Sequence, residues 1–185
     1  MRTLLPAFLA LVLTAQFSIA GNPIEFSADV QEFTGEGIVY RRLSFKDDKR
    51  TISYLPPQGW TCSLRGNSLR LVPPDKNFAE AQIESLPLEK PKPMDDAAVA
   101  ALTQEVLDAL PHGSQQATVV KQEQNPMLNN NPGFELVVSY KASGEAFERG
   151  IIFVNTPANQ LIFKFTARKS DFDPLYRAFR SSVFT

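Results

Sequence analysis

From Val39 onward, apolar and polar positions follow one another in short runs divided by turn-forming residues. Residues 39–45 and 50–55 are β-type runs on either side of Lys46-Asp47-Asp48-Lys49, a spacing that predicts a β-hairpin. Pro56-Pro57-Gln58-Gly59 stops the second strand, because proline has no N–H to give to a ladder and glycine permits the turn. Residues 60–64 and 68–72 predict a second strand pair around Arg65-Gly66-Asn67, and residues 79–86 one further strand. Pro87, Pro91 and Pro93 then make a stiff, extended connection, since each fixes its own φ and turns the preceding residue away from helix. Upstream, Ile24, Phe26, Ala28 and Val30 alternate, so residues 21–38 form a leader or a first edge strand.

The helical period enters twice. Val99, Leu102, Val106 and Leu110 recur at steps of three and four after Asp95-Asp96, which offer an N-cap and negative charge for the first turn; Pro111 and Gly113 close that helix. A closing helix is expected to begin near residues 170–174, with Ser170, Asp171 or Asp173 as cap, Pro174 in the first turn, and Phe172, Leu175, Phe179 and Val183 as its stripe. Between the helices lie a strand over 117–123, a polar loop containing Asn129-Asn130-Asn131-Pro132-Gly133, and a β-meander over 134–140, 146–155 and 160–167. Leu136-Val137-Val138 and Ile151-Ile152-Phe153-Val154 are apolar at consecutive positions, so both faces of those strands require cover. The expectation is an α+β fold in which an antiparallel sheet is covered by helices on both faces, an α/β/α sandwich.

Residues 1–20 have a different character. Arg2, an apolar run from Leu4 to Leu13, and the small residues of Ser18-Ile19-Ala20 make a secretory signal peptide with cleavage expected before Gly21. The run is too short to span a bilayer, and no later stretch approaches that length, so no membrane span is expected after cleavage. The expected location is periplasmic or secreted, with residues 39–185 forming one domain.

Charge narrows the partners. The chain carries net −1 with its charges interspersed, which is no nucleic-acid footprint. Cys62 is the sole cysteine, so no intramolecular disulfide forms, and its setting beside Trp60 predicts a small apolar core residue. His112 is the sole histidine, a poor start for a zinc site. No nucleophile elbow, phosphate loop or dinucleotide fingerprint occurs, and helix capping accounts for the Asp95-Asp96 and Asp171/Asp173 pairs. No catalytic residue, metal site or cofactor is assigned. Trp60, Asn129, Asn130 and Asn131 are the recognition candidates: a tryptophan just after a turn, and an amide-rich loop able to hydrogen-bond a polar ligand.

The segment RTISYLPPQGW over residues 50–60 resembles the opening of proteins with the PsbP/Mog-type fold, and the single helix, the meander GFELVVSYKASGEAFERGIIFVNTPANQLIFKFTAR and the ending RAFRSSVF follow in similar order. The resemblance implies an antiparallel sheet between helical layers and a binding or assembly role rather than one shared activity. No position matches a functional motif of that family. The expected function is therefore an exported, non-enzymatic binding or assembly module for an envelope protein or small ligand. A carboxylate-dependent hydrolase of envelope or extracellular glycans and a structural protein of the cell envelope are the alternatives.

Overall fold

The computed structural model describes residues 25–35, 38–47, 50–65, 68–124, 128 and 130–184. The expected signal peptide over 1–20 and Asn129 lie outside the described residues. The first three strands, β1 (Glu25–Gly35), β2 (Ile38–Asp47) and β3 (Arg50–Tyr54), pair antiparallel in chain order as a small sheet. The rest of the chain supplies β4 (Thr61–Arg65), β5 (Ser68–Val72), β6 (Glu80–Pro87), helix α1 (Asp96–Asp108), β7 (Gln115–Gln124), β8 (Gly133–Ala142), β9 (Glu145–Asn155), β10 (Asn159–Arg168) and helix α2 (Lys169–Val183). These seven strands form one antiparallel sheet in the order β4-β5-β6-β10-β9-β8-β7. The pairing of β6 with β10 joins the early hairpin to the late meander.

Burial follows the runs. Residues 134–138 of β8 and 150–155 of β9 are buried at every position, so these two strands are covered on both faces. On one face Val137, Ile152, Phe163 and Phe165 meet Phe172, Tyr176, Phe179 and Val183 of α2, together with Leu43, Phe45 and Tyr54 of the small sheet. On the other face Phe134, Leu136, Val138, Ile151 and Phe153 meet Val99 and Val106 of α1.

The α/β/α sandwich expected from the sequence is not what forms. The described residues hold ten strands and two helices, arranged as two antiparallel sheets, and the fold is mainly β. A helix about 10 Å wide covers about two strands spaced at about 4.8 Å, so α1 alone cannot roof a seven-stranded sheet. The strands beyond its reach show as much. β6 through Ser85 and β10 from Phe163 onward alternate buried and half-buried positions; Ile162 still packs against the α1 cluster, but the half-buried side chains farther from the helix, Gln82, Glu84, Lys164 and Thr166, are polar. Arg70 of β5 lies in the same row as Gln82 and Lys164. Consecutive apolar residues marked two-sided burial for β8 and β9 only, and the alternation in their neighbours marks a face open to water.

Both helices differ in how they start. The Asp95 carboxylate caps α1 by accepting from the Ala98 N–H at 2.9 Å, as its position predicts. β10 runs into α2 with no connecting loop: Arg168 ends the strand and holds the N-cap position without a side-chain cap, and Pro174 lies inside the helix rather than in its first turn. The buried stripe is Phe172, Tyr176, Phe179 and Val183, with Leu175 only partly buried. All ten residues of β7 are exposed, and the irregular register of this edge strand against β8 disrupts the regular ladder that edge-to-edge pairing needs.

Candidate functional site

The open half of the α1 side of the sheet is the most chemically distinctive surface. Cross-strand register places Arg70, Gln82 and Lys164 in one row, and Glu80, Thr166 and Arg149 in the next. Arg168, Phe147 and Tyr140 make up the third row. The segment after β5 brings Lys76, Asn77 and Phe78 over this floor, and Pro111 closes it from the end of α1, leaving a groove of about 580 Å³. Four cations, Arg70, Lys76, Arg149 and Lys164, line it against one carboxylate, Glu80.

The cations are unequally neutralised. Arg70 is paired with Glu80 at 2.7 Å and Lys76 with Asp171 at 2.7 Å, whereas Glu84 stands 3.9 Å from Lys164. Arg149 donates to the Thr166 hydroxyl at 3.0 Å and to the Ala109 carbonyl at the end of α1 at 3.1 Å, and among the described residues no carboxylate forms an ion pair with it. The helix terminus carries only partial negative charge, so Arg149 keeps most of its attraction for an anion.

Phe78 forms the rim. Its side chain is 65% exposed and its backbone lies at φ 65, the left-handed region, where a bulky residue is an outlier costing about 1–3 kcal/mol. The Arg168 guanidinium sits 4.6 Å from the ring centroid and is itself held by Glu145 at 2.9 Å, so the ring is fixed while its outer surface faces water.

A second groove, of about 530 Å³, lies on the α2 side and contains the buried acids Glu135 and Glu148. Glu135 is fully buried and accepts three charge-assisted or phenolic hydrogen bonds: from Lys121 at 3.0 Å, from the Tyr176 hydroxyl at 3.0 Å and from Arg180 at 2.9 Å. Glu148 is paired with Lys169 at 3.1 Å. Each acid is thus engaged by cations, and the set fastens α2 to β7, β8 and β9. Tyr176 reaches Glu135 by lying across Gly150, where any Cβ would collide with its ring.

Burial, reinforced by the neighbouring Glu135 charge, pushes the Tyr176 phenol well above its usual 10.0. Burial does the same to Tyr54, against the lowering effect of its hydrogen bond to Ser182. Both phenols bind their proton more tightly when folded, so their contribution is intact below the usual tyrosine value and is lost as pH climbs past it. The melting temperature should hold between about pH 7 and 9 and fall above about pH 10, and Tyr176→Phe should shallow that fall. An unchanged alkaline limb in the variant would remove Tyr176 as its source.

The recognition candidates read from the sequence have other placements. Trp60 is buried in the core, its ring 5.8 Å from Phe165 and 6.4 Å from Phe179. Asn130 is exposed at φ 63, and the Asn131 side-chain amide donates to the Leu128 carbonyl at 3.1 Å within a turn closed by reciprocal backbone bonds between the same two residues. Cys62 is half-buried against the core, and burial raises its thiol above the ordinary value. His112 is exposed just beyond α1. Among the described residues no cluster of three or more His, Cys, Asp or Glu side chains is placed to hold a metal ion, and no helix is long and apolar enough to cross a membrane. Sequence reading missed the groove, although the alternation along residues 68–72 and 160–167 carries its polar row.

No family model matches the chain, and no curated protein matches it. A solved structure from Bacteroides thetaiotaomicron is similar over 70% of this chain at 14% identity and a TM-score of 0.43. The match covers 43% of that neighbour's length.

Proposed function

We propose that the protein is an exported, non-enzymatic binding module that takes an anionic ligand in the groove on the open half of the sheet. One observation carries this reading: a chain of net charge −1 gathers four cations on one concave surface, and Arg149 among them has no carboxylate partner among the described residues. Such an arrangement focuses the local potential and draws in anions even where the molecule as a whole is near neutral. Export rests on the pattern of residues 1–20. The engagement of Glu135 and Glu148 by cations supports binding over carboxylate-dependent hydrolysis, which needs one acid free to donate a proton and another free to attack or activate water.

Titration calorimetry with galacturonate, inorganic phosphate and sulfate, alone and as short oligomers where these exist, tests the reading. At least one of these anions should bind, more weakly as salt rises, and the Arg149→Ala/Lys164→Ala double variant should lose about tenfold or more in affinity while its circular dichroism spectrum stays that of the folded wild type. Equal affinity in the double variant, or no anion binding at all, would overturn it.

A further inference from the structure

We propose that the occupant of this groove is a strand of carboxylated polysaccharide, with one sugar ring stacked on Phe78 and its carboxylates on Lys164 and Arg149. The proposal rests on the reading of the groove as an anion site and goes beyond it by naming the ligand's chemistry and the contact that selects it.

The floor sets the length scale. Arg70 and Lys164 share a register row but are separated by the strand that carries Gln82, which puts their Cα atoms about 10 Å apart, the reach of a disaccharide. A small anion on so open a floor meets one cation at a time, whereas a chain with a carboxylate on successive or alternate sugars meets several. The neutral groups between the charges suit hydroxyls: Gln82 lies between the two cations of its row, Thr166 lies beside Arg149, and Asn77 lines the same groove.

Phe78 supplies what a simple anion site does not need. An aromatic ring left largely in water, in a backbone conformation that disfavours its side chain, costs stability twice over. A sugar presents an apolar face of C–H groups that covers such a ring. A single-stranded nucleic acid fits less well: successive bases call for successive stacking rings, and here Phe147 is partly covered and stacked on the buried Tyr140 at 5.8 Å, leaving Phe78 as the one largely exposed ring among those that line the groove. The near-neutral chain also disfavours a polymer with a phosphate on every residue.

The test uses the mature chain with oligogalacturonates and oligomannuronates of one to eight sugars, neutral xylo-oligosaccharides, and a single-stranded oligonucleotide. Affinity should rise with uronate length and level off near about four sugars, a length that covers the row and the rim. Phe78→Ala should lower it about tenfold without lowering the melting temperature, and Phe78→Trp should preserve it. If the monomer binds as well as the octamer, or Phe78→Ala binds like the wild type, the polysaccharide is wrong while the anion site stands. If the oligonucleotide binds more tightly than any uronate, the groove belongs to nucleic acid and the glycan proposal falls. If no anion of any kind binds, both readings fall together.

Discussion

Substituting alanine for Gly150 should lower the unfolding free energy by about 3–5 kcal/mol, an effect far larger than a single methyl group on an exposed strand would produce. A Cβ at this position would stand 2.5 Å from Cζ and 2.9 Å from Oη of Tyr176. The ring has nowhere to retreat, since Phe172 stacks on it at 4.8 Å and Phe165 lies at 6.1 Å. Displacing it breaks the hydrogen bond to the buried Glu135 carboxylate, which adds the loss of a charged partner to the overpacking. Urea denaturation measures the change. Combining Gly150→Ala with Tyr176→Ala should prove strongly non-additive, because the second substitution removes the atoms with which the first collides. A single variant within about 0.5 kcal/mol of the wild type would refute the steric account.

Phe179→Ala should be comparably severe, at about 3–5 kcal/mol, which for a chain of this size lowers the melting temperature by about 10 °C or more. Phe179 is fully buried where α2 meets the sheet, 6.0 Å from Phe165 and 6.4 Å from Trp60. Three large rings meet there, and neighbours of that size cannot close over the space of a missing one. Trp60 is the sole tryptophan, so its emission should shift to the red as water reaches the cavity. A variant that melts within a degree or two of the wild type, with unchanged emission, would show that α2 is not docked through this residue.

Local punctuation made much of the chain legible. The acidic cap before Val99 sits where α1 starts, and the strand pairs expected on either side of residues 46–49 and 65–67 are present as β2 with β3 and β4 with β5. What stayed hidden depends on contacts between distant segments. Nothing in residues 79–86 announces that β6 will pair with β10, yet that pairing extends the meander into a seven-stranded sheet. The apolar runs at 136–138 and 151–154 report two-sided burial truthfully, but a run cannot state how many neighbouring strands share the cover, and the helical layers inferred from it do not form. The groove was hidden for the same reason. Arg70, Arg149 and Lys164 lie far apart in the chain and meet only through strand order, and no propensity would place a phenylalanine at the left-handed position of residue 78.

The direct passage of β10 into α2 leaves no slack between the two faces of the sheet. Arg168 and Lys169 are consecutive, yet the first holds the Phe78 ring on one side while the second grips Glu148 on the other. No loop separates the strand from the helix, and the Lys76–Asp171 ion pair a few residues along ties the segment that bears Phe78 to the opening turn of α2 as well. The rim and the buried aromatic cluster are therefore joined through two consecutive side chains and one ion pair, with no intervening loop.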